Sequence, residues 1–336
     1  MPNPVAISRW MTVCSVVLLA ACGGSGGGIG APIGPVVPPV PPTPPAPATV
    51  LAVSVANLAL AANNPLALPT PIPGNPRLIT VTNTGTQPAL AMTVDSSLLP
   101  ALTTVTANTC TGTLASLASC SITITPGTNA TTLPVTVTVK GSNTNTVSTA
   151  VAVLKYGSTY QGGIVFALDD GTPNTGSVGG KATAQTEAAA GPWSPADLQA
   201  TAAGSLTDGV ANTAAILATY SDPLVYPATA VAARACDEFS DAGHTDWYLP
   251  AICELGYDQT GAGTGCGSVA APLVENVQSS LVDNSAVPGA PGTFWSSTDL
   301  STTAFAWAHH LEGGNTFQVA PNKSTSQRLL CVRRFN

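Results

Sequence analysis

From Thr49 to Lys155 apolar and polar residues alternate with a period of two, which restricts this stretch to strands covered on one face. Ile79 and Val81 alternate with Thr80 and Thr82, and Leu90, Met92 and Val94 follow. Ile122 and Ile124 sit among threonines, and Val135, Val137 and Val139 continue the pattern. Asn83-Thr84-Gly85, Pro126-Gly127 and Gly141-Ser142-Asn143 punctuate the runs as turns. Short strands at this spacing predict an all-β sandwich. Composition agrees, since only 8% of residues are charged and 5% aromatic, a β-rich, turn-rich extracellular balance. No long basic tract is present, so nucleic acid is not an expected partner.

The beginning of the chain places it outside the cytoplasm. Arg9 precedes an apolar run from Met11 to Ala21, about 11 residues where a membrane helix needs about 20, so the run reads as a signal-peptide core. Leu19-Ala20-Ala21-Cys22 resembles the lipobox of bacterial lipoproteins. The resemblance implies cleavage before Cys22 and a palmitate-type lipid anchor on that residue. Gly23 stands where an Asp commonly retains lipoproteins at the inner membrane, so the implied location is the outer membrane. Residues 23–30 are nearly all Gly, and nine of the sixteen residues from Pro32 to Pro47 are proline. The proline tract predicts an extended polyproline II stalk with a reach of roughly 50 Å.

Without Cys14 and Cys22, six cysteines remain: Cys110, Cys120, Cys236, Cys253, Cys266 and Cys331. An even number in an exported chain is most simply three disulfides. Zinc is the rival reading, although no C-x₂-C pair exists. Cys110 and Cys120 flank a short Gly-containing loop and are expected to close it. Charge is uneven: residues 50–155 carry a net of +2, and residues 156–336 carry 16 acidic and six basic side chains. The acidic half disfavours polyanions through its overall field.

From Tyr160 onward the pattern changes. Gly162-Gly163-Ile164-Val165-Phe166 begins a strand that ends at Asp169-Asp170-Gly171, and Asn212–Leu217 reads as a short helix. A second helix is expected from Pro227, with Ala228, Val231, Ala232, Ala235, Cys236 and Phe239 on one buried stripe and Gly243 as its stop. Short strands around Trp247, Trp295, Trp307, Phe317 and Cys331 complete an α+β pattern.

Three resemblances follow from these segments. The Asn83-Thr84-Gly85 turn and the segment from Cys110 through Ser119-Cys120 to Pro126-Gly127 resemble immunoglobulin-like spacer domains of bacterial surface proteins. Gly162–Phe166, Asn212-Thr213-Ala214, Thr245-Asp246-Trp247-Tyr248-Leu249-Pro250 with Glu254-Leu255, Phe294–Thr298, Ala306-Trp307 and Cys331-Val332-Arg333 resemble, in order, the Lcl C-terminal domain family. That family is named for the end of a collagen-like bacterial adhesin. Leu330 stands where the family often has Arg, and the Cys253–Cys266 segment looks like a local addition. The order of elements also resembles C-type-lectin-like folds, which implies a Cys236–Cys331 bond and leaves Cys253–Cys266 as a loop staple. The implied organisation is a signal peptide (1–21), a lipidated stalk (22–48), an immunoglobulin-like β-sandwich spacer (49–156) and an α+β lectin-like binding domain (157–336).

Candidate chemistry is sparse. Trp247, Trp295 and Trp307 could stack on sugars but equally fill cores, with packing the favoured reading. Asp246 beside Trp247 reads as a turn tie. His310 and Glu312 share a strand face from which His309 points away, a pair too small for a firm metal site. Asp299, Glu312 and Asn315 could offer oxygens to calcium, and whether a metal binds is left open. No H-E-x-x-H, nucleophile elbow or phosphate loop lies in a suitable context, so no enzyme activity and no cofactor are expected. The expected function is an adhesin-type lipoprotein presenting its tip to a glycan or extracellular protein, with Trp295, Asp299, His310 and Glu312 as the candidate ligand face. The alternatives are a structural or assembly lipoprotein that binds protein partners and, more remotely, an enzyme related to formylglycine-generating oxidases.

Overall fold

A computed structural model of the chain describes residues 49–171, 176–195, 201–285, 291–300 and 304–336; the signal peptide, Cys22 and the stalk lie outside the described residues. The alternating stretch forms nine strands: β1 (Leu51–Val53), β2 (Asn57–Ala61), β3 (Arg77–Asn83), β4 (Ala89–Asp95), β5 (Thr104–Asn108), β6 (Gly112–Leu114), β7 (Ser119–Thr125), β8 (Val135–Lys140) and β9 (Val147–Leu154). They assemble as two sheets, ordered β1-β3-β7-β5 and β2-β9-β8-β4-β6. Ile79 on β3 faces Ile122 on β7, and both join Leu58, Leu60, Val137, Val139, Val151 and Val153 of the other sheet in one core. Each such side chain, fully buried, stabilises the fold by about 1.5–3 kcal/mol. Cys110 and Cys120 are bonded at the margin of this core, with their Cα atoms 5.0 Å apart.

The alternation fails at one place. Leu90, expected inside with Met92 and Val94, is 46% exposed. A bulge between Ala89 and Met92, with Ala91 at φ 48°, turns both Ala89 and Met92 inward and leaves Leu90 out.

The second half has β10 (Thr159–Tyr160), β11 (Gly163–Asp169), β12 (Gly179–Ala184), β13 (Ala188–Pro192), α1 (Gly209–Thr219), α2 (Ala232–Asp237) and α3 (Ile252–Leu255). After them come β14 (Gly267–Ser268), β15 (Ala271–Pro272), a π-helical turn at Gln278–Val282, β16 (Gly292–Asp299), β17 (Ala306–Leu311), β18 (Phe317–Val319), β19 (Ser326–Leu329) and β20 (Val332–Phe335). Its main sheets run β10-β11-β12-β20 and β13-β19-β16-β17-β18. The helices are short, so the described protein is predominantly β.

α1 begins where Asp208 accepts the Ala211 N–H, and its first residue is a glycine for a steric reason. A Cβ on Gly209 would lie 2.5 Å from Glu254 Oε2 and 2.7 Å from the Leu249 carbonyl oxygen. α2 is shorter than expected. Pro227 closes a turn with Ala230, Val231 is extended at φ −137°, and the helix starts only at Ala232, whose N–H donates to the Trp193 carbonyl. Val231, Ala232 and Cys236 are nevertheless buried and Ala228, Ala235 and Phe239 half-buried, so the apolar stripe holds although only its middle is helical. The Cys236–Cys331 bond ties α2 to the approach of β20, and Cys253–Cys266 staples α3 to the following loop.

Among the described residues no sheet contains strands from both halves, yet the two halves pack as one unit. Ala59, Ala61, Leu154 and Tyr156 form a continuous apolar cluster with Val165, Leu168, Val178, Ala182 and Phe335. Beside it, Arg77 reaches across to Asp170 at 2.8 Å, with both side chains buried. The free edge of β2 is covered in the same region, where Val178 N–H donates to the Ala59 carbonyl and Ser177 Oγ accepts the Ala59 N–H.

Candidate functional site

β16 and β17 pair antiparallel and carry Trp295, Asp299 and His310 of the expected ligand face, and Glu312 follows directly on the end of β17. The structure does not gather them on one open surface. Trp295 is wholly buried, and its indole N–H donates to the Gly191 carbonyl at 3.0 Å. Asp299 is also buried, held by Lys323 Nζ at 2.7 Å and by the Thr201 hydroxyl at 2.7 Å. Lys323 in turn lies 4.6 Å above the Trp193 ring, which completes a closed ionic and aromatic cluster. Neither Trp295 nor Asp299 can meet a ligand without opening this core, so both are corrected from site to scaffold.

His310 and Glu312 remain accessible. The imidazole stacks on Phe317 with ring centroids 4.6 Å apart and planes at 17°. Its Nδ1 lies 3.2 Å from Thr293 Oγ1 and its Nε2 lies 3.3 Å from Glu312 Oε2. Asn315 donates to the same carboxylate oxygen at 2.8 Å, and this bond, followed by that from His310, holds the Glu312 carboxyl below its usual range. A rim of one imidazole, one carboxylate, one amide and one aromatic ring results. His309 points into the protein, where its Nε2 meets Thr316 Oγ1 at 2.8 Å and burial depresses its pKa to about 3. Of the calcium set considered from sequence, Glu312 and Asn315 are already bonded to each other and Asp299 lies in the buried cluster. Among the described residues, no group of three or more His, Cys, Asp or Glu side chains gathers as for a metal.

The other tryptophans and basic residues are also tied. Trp247 is buried edge-on to Phe239, and its indole donates to the His244 carbonyl. Arg333 grips both oxygens of Asp246, at 2.8 and 2.9 Å, and this hydrogen bonding lowers the pKa of the carboxyl. Trp307 is half-buried against Ile252 and the Cys253–Cys266 bond. Lys323, Arg328, Arg333 and Arg334 pair with Asp299, Glu187, Asp246 and Asp208 respectively, so they neutralise four separate acids and form no basic patch.

Glu254, from the segment that carries the resemblance, has a scaffold part. Its carboxylate is fully buried, accepts N–H groups from Gly209 and Ala251 and the Tyr248 hydroxyl, and faces Lys181 Nζ at 2.5 Å. One acid thereby fixes the start of α1, the start of α3 and β12.

Sequence reasoning missed a recess between the halves. A groove of about 750 Å³ opens where the two halves meet, between Leu66–Leu68, Ala130–Thr132, Lys155–Thr159 and the Ser280–Asn284 turn. No periodic pattern marks it, because its walls come from loops far apart in the chain. Asn284 spans it, donating to the Leu68 and Ser279 carbonyls at 2.8 Å each.

No family model matches the chain, and no curated protein matches it significantly. Among solved structures, the secreted serine protease VesC from Vibrio cholerae aligns at 14% identity with a TM-score of 0.25. The alignment covers 45% of this chain and 38% of that one, and so weak a likeness bears on neither fold nor activity.

Proposed function

We propose that the chain is a cell-envelope lipoprotein, anchored through Cys22, that holds a non-catalytic binding domain away from the membrane on its proline-rich stalk. In this reading residues 49–156 are an immunoglobulin-like spacer and residues 157–336 a C-type-lectin-like domain of the Lcl C-terminal kind. The Cys236–Cys331 bond supports the lectin-like assignment, because it joins a helix to the approach of the last strand as the resemblance implies. The function rests chiefly on one observation, the accessible rim of His310, Glu312, Asn315 and Phe317 on a rigid, doubly stapled scaffold. An aromatic face beside hydrogen-bonding groups suits a glycan or the polar surface of an extracellular protein. Anchoring many copies in one plane would raise avidity without any new contact.

Purified full-length protein in detergent is to be tested on an array of neutral, carboxylated and sulfated glycans and extracellular-matrix proteins. Binding is expected, and the double variant His310→Ala/Glu312→Gln should weaken it about tenfold or more, the scale for losing charge-assisted hydrogen bonds. Binding that ignores this variant removes the rim as the site. No binding to any surface leaves the structural-lipoprotein reading, which exposed Leu224 and Val225 favour as contacts for a protein partner.

A further inference from the structure

The groove between the halves has a chemistry of its own. Its only charged side chain is Lys155, in a chain whose formal net charge is −7. Lys155 is exposed, and no carboxylate among the described residues pairs with its ammonium group. Glu275, the nearby acid behind the groove wall, is already engaged: it accepts the Tyr156 hydroxyl through Oε1 and the Leu168 N–H through Oε2.

Hydroxyl groups dominate the remaining polar lining, from Thr131, Thr132, Ser158, Thr159 and Ser280. Ser158 Oγ accepts the Lys155 N–H at 2.9 Å and retains a proton to donate. Ser280 is fully buried, so the groove offers a ligand the hydroxyls of the other four residues. The volume, about 750 Å³, lies in the range of small-molecule sites, and junctions between packed units are a usual place for them.

We propose that this groove binds a carboxylated sugar residue of a glycan, with Lys155 opposite the carboxylate and the hydroxyls of Thr131, Thr132, Ser158 and Thr159 meeting the ring hydroxyls. The proposal rests on the binding-protein reading above but names a second site, built from both halves and separate from the His310 rim. The scarcity of charge favours a singly anionic sugar over a densely sulfated chain, which would bring several negative charges to one lysine. It also favours a sugar over an apolar ligand, since hydroxyls line much of the wall.

The test uses full-length protein in detergent and measures binding to oligosaccharides that end in a uronic or sialic acid, in matched neutral sugars or in sulfated sugars. Carboxylated sugars should bind best. Lys155→Gln should weaken them roughly tenfold or more and remove the preference over neutral sugars. Thr132→Trp, which fills the groove from an exposed position, should abolish binding. Preference for neutral or sulfated sugars, or carboxylate binding that survives Lys155→Gln and Thr132→Trp, overturns the proposal. If that binding instead follows the His310→Ala/Glu312→Gln variant, the groove is wrong and the rim reading stands. Absence of binding to every glycan and protein surface overturns both.

Discussion

His309 and His310 are neighbours in sequence with opposite fates, because adjacent strand residues face opposite sides. Burial keeps the His309 imidazole neutral, with His310 pushing the same way and Asp258 opposing, and its pKa falls to about 3. Unfolding returns it to about 6.5, so below that pH the unfolded chain binds the extra proton. Stability is therefore expected to be constant above about pH 6.5 with respect to this group. It should decline toward pH 3 by up to about 1.4 kcal/mol per pH unit. Denaturant unfolding between pH 7 and pH 4.5 tests this in the wild type and in His309→Gln, which should flatten the slope. An identical slope in both would assign the acid sensitivity to other groups. Trp295 and Asp299 show what single residues conceal. A tryptophan in a motif and an acid at a strand end look alike in sequence whether they face solvent or core. Only the position of Gly191 and Lys323, 104 and 24 residues distant, decides the matter.

Local periodicity served well for elements whose environment is uniform along their length. β3, β7 and β8 follow the expected alternation because each lies against a single apolar layer. β4 departs where a bulge costs one register step, and nothing in Ala89-Leu90-Ala91-Met92 announces it. The second helix starts later than its apolar spacing predicts because Pro227 suits a first turn as well as it suits an isolated one. Trp193, distant in sequence, supplies the acceptor that fixes the true start. The cysteine pairs are the elements' strongest ties, and their worth should differ with the length of chain they enclose. Replacing Cys236 and Cys331 together by serine is expected to cost about 4–5 kcal/mol, against about 3 kcal/mol for the Cys253 and Cys266 pair. Urea unfolding of both double variants checks this order, which would be contradicted if the shorter staple proved the costlier loss.

At the scale of the whole molecule, the halves are separate in sheet topology and joined in packing. The change in pattern expected from Tyr160 follows the end of the first half's ladders, since β9 closes at Leu154. The shared apolar cluster and the groove were not, since they depend on how loops meet after folding. The Arg77–Asp170 pair is the clearest probe of the joint. Arg77→Ala leaves Asp170 buried without its guanidinium and is expected to cost about 3–5 kcal/mol. Calorimetry should show one transition in the wild type and a separation of the two halves in the variant. A variant that still melts as one unit with little loss would mean the apolar cluster alone couples them.

The central claim is that this domain pair is displayed by a lipid anchor for binding outside the cell, and protease shaving of intact cells tests it most directly. The account predicts that brief protease treatment removes the 157–336 region from intact wild-type cells, and that Cys22→Ser leaves no cell-bound material to shave. Protection of that region until the outer membrane is breached, or unchanged surface retention by Cys22→Ser, would contradict it.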